Sequence, residues 1–282
     1  MNSDKLRFYQ LLEQHVGIAL DETKEYLLES RLAPLSQELS EGNVDSLLRQ
    51  LVNTPVDTLH WRAFEALTTN ETSFFRDRHV FEGIHLDLLP DLIARRRNDR
   101  SLTIWSSAVS AGQEAYSLAM LIREHFPELR DWRIHIEGTD ISDLVLGKAR
   151  LGIYSEIEVN RGLEKHYLKK YFTRLDNETY RVIPTIRAMV SFSVNNLIGK
   201  WPHYPKFDLI LLRNVLIYFR TTTRELVLGR IGSQLADDCG LLLLGAAESI
   251  LADRRFELIQ KERYSCYRLA NSTNRKETGV KT

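Results

Sequence analysis

Apolar residues recur at helical spacing through the first quarter of the chain. Leu6, Phe8, Tyr9, Leu11, Leu12 and Val16 form one stripe, closed by Gly17, and further stripes run over residues 26–39, 44–52 and 59–67. They predict a small all-α domain over residues 1–75. From about residue 100 the period shortens. Apolar β-like runs, LTIW at 102–105 and RIHIEG at 133–138, alternate with amphipathic helices over 116–126 and 144–149. Strands separated by helices of this length predict a parallel sheet with right-handed crossovers. FDLILL at 207–212 reads as a strand buried on both faces, followed by a helix over 223–236 and the strand LLLLGA at 241–246. FELIQKERYSCYRL reads as two strands across a turn at 261–263, an antiparallel pair that finishes the sheet. Residues 153–195 hold one helix, 163–172, and two β runs, TYRVI and MVSFSV, which predict a small appendage. The expected organisation is a helical domain over 1–75, a linker over 76–97, an α/β domain over 98–270 with an insertion at about 153–195, and a disordered tail over 271–282.

Composition narrows the function classes. With 282 residues, 43% hydrophobic and 27% charged, the chain can build a full core and two domains of unequal size. Thirty-eight basic residues balance 38 acidic ones, so no overall field steers it to nucleic acid or an anionic membrane. The opening MNSDKLRFYQLLEQ has no uninterrupted apolar core of the secretory kind, so a cytoplasmic protein is expected. The longest apolar run, 207–219, is broken by Asp208, Arg213 and Asn214 and is too short to span a bilayer. Cys239 and Cys266 lie far apart with no CxxC and no neighbouring His, so neither a metal site nor a disulfide framework is expected.

Candidate chemistry lies where the pattern breaks. At 69–76, TNETSFFR puts Asn70, Thr72 and Arg76 at the end of an apolar helix, offering donors for a carboxylate or polar ligand, or simply a capped helix end. Strand 102–105 runs into Ser106-Ser107-Ala108-Val109-Ser110-Ala111-Gly112, small residues at a strand-to-helix turn where open α/β sheets bind ligands. A single glycine disfavours a dinucleotide loop. Glu114 at the following helix start suits a cationic or hydroxyl-bearing ligand, or only the helix dipole. The next strand ends in Asp140, placed to accept ribose hydroxyls or to cap the following helix, a task for which Ser142 competes. Arg213 and Asn214 interrupt an apolar run at a strand tip; Arg213 either faces the same crevice or pairs with a helix carboxylate. Asn195, Asn196 and Leu197 follow MVSFSV and offer amide contacts, or a turn.

TNETSFFRD, WSSAVSAGQEAYSLAM, GTDIS, GIYS, the NL of SVNNLIG and FDLILLRNVLIYF, in that order, resemble the CheR family of chemotaxis receptor glutamate O-methyltransferases. The resemblance covers nearly the whole chain. It implies a Rossmann-like S-adenosylmethionine-dependent methyltransferase domain with an inserted small antiparallel β subdomain, preceded by an all-α domain. It implies cofactor contacts at Asn70, Thr72, Arg76, Gly112, Glu114, Asp140, Asn196, Leu197, Arg213 and Asn214, and places Tyr218 near the methyl-transfer locus. Arg76 and Tyr218 are then the expected catalytic residues, S-adenosylhomocysteine the product, and the cytoplasmic helices of a methyl-accepting receptor the substrate of a monomeric enzyme.

The chain departs from the family pattern in places. The turn usually reading STGEEPYS is SAGQEAYS here, and the usual Gly-His-Ser-Glu is Gly245-Ala246-Ala247-Glu248. Leu212 replaces a common cysteine. Residues 22–42, which relatives use to present basic groups to receptors, carry Glu22, Glu25, Glu29, Glu38 and Glu41 against Lys24 and Arg31. That either weakens attraction to acidic receptor sites or forms a solvated face. The 173–179 connection is short for members that dock a receptor's carboxy-terminal pentapeptide, so no such tether is expected. A cofactor-binding regulatory module without turnover is the alternative. A nucleic-acid methyltransferase is disfavoured, because no NPPY-like motif and no net positive charge are present.

Overall fold

The computed structural model describes residues 3–20, 24–39 and 42–270. The tail at 271–282, with Glu22 and Glu41, lies outside them. The chain divides into two compact units. One takes residues up to Asn70 together with Asn195–Pro202 and Tyr218–Val227; the other takes Glu71–Val194, His203–Ile217 and the rest from Leu228.

The helical unit contains α1 (Ser3–Val16), α2 (Glu25–Glu38), α3 (Val44–Asn53) and α4 (Thr58–Leu67). Caps set the starts of the last two: Asn43 accepts from Ser46 N–H, and Asp57 with His60 forms a reciprocal capping box. Phe8, Leu12, Leu28, Leu32, Leu47, Leu48, Leu51 and Phe64 are buried between them, with the Phe8 and Phe64 rings 5.9 Å apart. Gly17 stops α1 at φ +83, and a Cβ there would fall 3.0 Å from Ile198 and 3.1 Å from Phe219. The late segments are built into this unit by Ala19 N–H donating to Tyr218 O at 2.9 Å and by an Ile18–Phe219 bridge.

Charges on α2 are partly offset inside the unit. Lys5 reaches Glu25 at 2.6 Å and Glu29 at 3.0 Å, and Arg62 reaches Glu38 at 2.6 Å. Arg31 donates to the carbonyls of Leu67 and Thr68, both at 2.8 Å, closing the end of α4.

The second unit opens with α5 (Arg78–Gly83), a π-helical turn (Ile84–Leu88) and α6 (Leu89–Arg95). Alternation follows: β1 (Ser101–Ser107), α7 (Gln113–His125), β2 (Arg133–Asp140) and α8 (Asp143–Leu151). Then come β3 (Ile153–Ser155), α9 (Glu156–Asn160), α10 (Lys165–Tyr171), β4 (Phe172–Arg174), β5 (Thr179–Val182), α11 (Pro184–Arg187) and β6 (Val190–Val194). β7 (Leu209–Leu212), α12 (Thr221–Gln234), β8 (Leu241–Leu244), β9 (Phe256–Gln260) and β10 (Ser265–Leu269) complete it, the first half of α12 counting with the helical unit. The main sheet has the order β6-β2-β1-β7-β8-β10-β9. Its strands are parallel except β10, which runs against both neighbours. This is the expected α/β fold with its closing antiparallel pair.

The insertion needs correcting. MVSFSV, read as part of the appendage, is β6, an edge strand of the main sheet paired in parallel with β2 from Ile136↔Val190 to Asp140↔Val194. Alternation fixes which side chains share a face and leaves the pairing partner open. The appendage is instead a three-stranded antiparallel sheet, β3-β5-β4, two of whose strands are three residues long and too short to register as a pattern. Its hairpin is short: Leu175 N–H donates to Thr179 O at 2.9 Å, and the Asp176 carboxylate accepts from the backbone N–H groups of Glu178 and Thr179.

FDLILL begins as a strand at Leu209. Asp208 lies just before it, accepting from Thr103 N–H at 2.8 Å and from Arg96 at 2.6 Å, which explains an acid at the mouth of a buried strand.

Candidate functional site

The carboxyl ends of β1, β2 and β7 carry the candidate residues of the sheet unit. The TNETSFFR segment reaches them because its two aromatics are anchors. Phe74 is fully buried, its ring 5.0 Å from Tyr154 and 5.5 Å from Phe172, and Phe75 stacks 4.6 Å from Tyr167. Phe75 N–H donates to Ser117 Oγ at 3.0 Å. Between these holds the backbone is forced left-handed at Phe75 (φ 50) and Asp77 (φ 59). Arg76, half-buried, donates from Nη1 to Glu71 O at 2.9 Å, and Thr72 is half-buried beside it in sequence.

Arg213, at the tip of β7, is the hub. Its side chain is 1% exposed and donates to Glu114 Oε2 at 2.7 Å, to Asp77 Oδ2 at 2.7 Å and to the Arg76 carbonyl at 3.0 Å. A guanidinium buried without such partners would be strongly destabilising, so the pairing half of the sequence alternative is realised. Its Nε has no hydrogen-bond partner among the described residues. Glu114 also accepts from Ser106 Oγ at 2.7 Å, so it joins the β1 tip to the β7 tip besides standing in the first turn of α7.

The small-residue turn after β1 is left-handed at Ala108 (φ 54), Ser110 (φ 53) and Gly112 (φ 91). Gly112 is required twice over, since a Cβ there would also lie 2.9 Å from Ala149 Cβ. Asp140 braces this turn by accepting from Ser110 N–H at 2.8 Å and from Ser142 N–H at 3.1 Å. Ser142 takes the capping task, accepting from Val145 N–H at the start of α8, so Asp140 is not the helix cap. Ser107 Oγ and Gln113 Oε1, both buried in this region, have no hydrogen-bond partner among the described residues.

Among the described residues, six other than glycine have positive φ: Phe75, Asp77, Arg100, Ala108, Ser110 and Asn214. All but Arg100 lie in the segments that converge on Arg213 or follow the β1 tip. Each such conformation costs about 1–3 kcal/mol and persists where its surroundings over-determine it, as at ligand clamps.

The remaining predicted residues lie in the helical unit. Asn196 donates from Nδ2 to His15 O at 2.7 Å and accepts from Ile198 N–H at 3.1 Å, so its amide is engaged in holding that unit together. Leu197 is buried and Tyr218 half-buried, and Asn70 Oδ1 accepts from Thr68 Oγ1 at 3.2 Å. Two residues of the sheet-unit constellation escaped sequence reading. Asp77 pairs with the Arg213 guanidinium across 136 positions and Glu248 bonds backbone N–H groups at the β7 tip; neither contact leaves a periodic signal. Two cavities of about 460 and 670 Å³ in the sheet unit are lined by none of the predicted site residues.

A mostly parallel sheet with carboxylates, an amide and a small-residue turn at its carboxyl edge defines an α/β fold of the nucleoside-cofactor class. The family described as "CheR methyltransferase, SAM binding domain" matches residues 70–265, and the chain belongs to that family. It is similar to a chemotaxis protein methyltransferase of Vibrio parahaemolyticus, 38% identical over 258 residues that cover 90% of this chain and 92% of the relative. Chemotaxis protein methyltransferase 1 of Pseudomonas aeruginosa is 37% identical over 253 residues, covering 88% and 91%. A chemotaxis protein methyltransferase of Borreliella burgdorferi is 33% identical over 262 residues, covering 92% of each. Among solved structures, a SAM-bound magnesium protoporphyrin IX methyltransferase from Synechocystis is similar at TM-score 0.37 and 13% identity, covering 88% of this chain and 96% of that one.

The protein is thus a methyltransferase whose cofactor is S-adenosylmethionine. The donor set fits that group. Glu114, Asp77 and Asp140 bring carboxylates to the crevice around a guanidinium already committed to two of them, which favours a cationic sulfonium and ammonium over a phosphate. Orphaned polar atoms on Ser107, Gln113 and Arg213 leave hydrogen-bonding capacity for a polar ligand.

Proposed function

We propose that this enzyme esterifies glutamate side chains on the cytoplasmic helices of a chemosensory receptor, within chemotaxis, and that it works in the cytoplasm as a monomer. The observation that carries the cofactor half is the buried Arg213 hub, which gathers Glu114, Asp77 and the Arg76 carbonyl at the sheet's carboxyl edge. The names of the relatives support the chemotaxis half.

When bound, S-adenosylmethionine supplies a methyl group on a sulfonium sulfur. A glutamate carboxylate is ionised at neutral pH, its reference pKa being about 4.3, so no residue here has to remove a proton. The new bond joins a carboxylate oxygen to the methyl carbon, and the carbon–sulfur bond breaks with its electron pair left on sulfur, giving a methyl ester and S-adenosylhomocysteine. The chain's contribution is alignment and exclusion of water. Gly112, Glu114, Asp140, Arg213 and Asn214 would hold the cofactor together with Thr72 and Arg76, and Arg76 would also orient the incoming carboxylate. The family resemblance assigns Asn70, Asn196 and Leu197 to cofactor contacts and Tyr218 to the transfer locus.

Receptor recognition without a pentapeptide tether is supported by the short 175–178 connection of the β subdomain. Lys5, shared between Glu25 and Glu29, and Arg62, paired with Glu38, offset part of the acidic charge of α2. Labelled methyl transfer to a receptor cytoplasmic fragment tests the proposal. We expect base-labile ester on the fragment with or without its last five residues. Calorimetric binding of S-adenosylmethionine with no ester on any receptor fragment would favour the regulatory-module reading instead.

A further inference from the structure

We infer that Glu248 is a positioning residue for cofactor binding, acting through the turn that carries Asn214. This rests on the reading that Asn214 belongs to the cofactor site.

After β8 the chain makes a tight turn, closed by Glu248 N–H donating to Gly245 O at 2.9 Å. The Glu248 carboxylate then accepts four backbone N–H groups. Oε2 takes Asn214 at 2.7 Å and Gly245 at 2.8 Å; Oε1 takes Val215 at 2.9 Å and Leu216 at 2.7 Å. Asn214 to Leu216 are the residues at which β7 has ended and a 3-10 turn (Leu216–Tyr218) begins, so their amides have no ladder partner. A single anion satisfies all three. It also holds the backbone at Asn214, which sits at φ 59, a left-handed conformation that asparagine tolerates better than most residues with a Cβ.

Gly245 completes the arrangement. A Cβ there would lie 2.7 Å from Glu248 Oε2, 2.9 Å from Asn214 N and 2.9 Å from Asn214 Nδ2. The glycine therefore lets the β8 tip approach the β7 tip closely enough for the carboxylate to bridge them. Both residues survive in a motif whose two middle positions are alanines here. Arg213, immediately before the pinned residue, is itself fixed by Glu114 and Asp77. The strand tip is thus held on one side through the Arg213 side chain and on the other through its backbone, which fixes the position from which the Asn214 side chain starts.

The experiment compares wild type with Glu248→Gln, Glu248→Asp, Gly245→Ala and Asn214→Ala by calorimetry with S-adenosylmethionine, methyl transfer, thermal unfolding and amide hydrogen exchange. Glutamine keeps the size but points an N–H₂ group at N–H donors. We expect Glu248→Gln to weaken cofactor binding at least tenfold, to lose exchange protection at 214–216, and to keep a cooperative unfolding transition; Glu248→Asp should recover part of the affinity. Asn214→Ala should weaken binding on its own. If Asn214→Ala weakens binding while Glu248→Gln stays within twofold of wild type, the inference is wrong and the site reading stands. If neither changes binding, both fail. Should Glu248→Gln not fold, Gly245→Ala decides: a folded Gly245→Ala protein with wild-type cofactor affinity overturns the inference, and tenfold weaker binding upholds it.

Discussion

Arg213 and Arg76 are in direct contact, the Arg213 guanidinium donating to the Arg76 carbonyl at 3.0 Å, yet their side chains should respond differently to truncation. Arg213→Ala would leave Glu114 and Asp77 facing each other without their shared cation; breaking a buried pair this way costs about 3–5 kcal/mol. Asp77 keeps 29% exposure, so the loss falls at the lower end, and the unfolding midpoint should drop by on the order of 10 °C. The Arg76 side chain bonds Glu71 O, a contact worth about 1 kcal/mol net. Arg76→Ala should therefore cost methyl transfer at least tenfold while scanning calorimetry shows a shift of a few degrees; an unfolded Arg76→Ala protein would contradict its assignment to the site. These residues also show what the sequence could carry. A charged residue breaking the 207–219 run marked Arg213 as special, but its partners lie 99 and 136 positions away, and no local pattern names them. Asp140 against Ser142 was open for a similar reason, since cap and ligand acid look alike until the Val145 N–H is seen to choose Ser142.

Among the elements, those with long periodic runs were legible and those defined by pairing were not. α3 and α4 follow their stripes to within a residue and α1, α7 and β1 to within three, whereas β6 went to the wrong sheet and β3 and β4 were invisible at three residues each. The π-helical turn was likewise unreadable, and it carries a testable charge effect. His85 on it stacks on His125 of α7 with ring centroids 3.9 Å apart. Burial first, and then the charge of His125, lowers the pKa of His85; burial lowers that of His125, with His166 and Lys170 adding to the shift and Glu124 opposing it. Tyr167 hydroxyl lies 3.1 Å from His125 Nε2. Groups whose folded pKa is depressed resist protonation in the native state, so the unfolded chain binds more protons as pH falls below 6.5, the ordinary value. The midpoint of unfolding should fall between pH 7 and pH 5, and His125→Gln should flatten that slope. Ser142→Ala offers a milder element-level check, with an expected loss of about 1 kcal/mol in denaturant unfolding from the missing cap of α8.

At the scale of the molecule, the helical unit is not a contiguous stretch of chain. Gly17 packs on Ile198 and Phe219, Asn196 bonds His15 O, and Arg220 reaches Glu13 at 2.7 Å, so the first helices need segments from 195–202 and 218–227. A fragment ending at residue 75 should show markedly less helix by circular dichroism than its share of the intact protein; full helicity in isolation would mean these late contacts matter little. The same feature sets an order of events during synthesis. At about 5–20 residues per second, a ribosome reaches residue 227 roughly 8–30 seconds after it has made α4. For most of that interval Asn196, Ile198 and Phe219 do not yet exist to cover the end of α1. The helical unit is made first and finished among the last, and a nascent chain stalled in the sheet unit would expose the end of α1 that the finished protein covers.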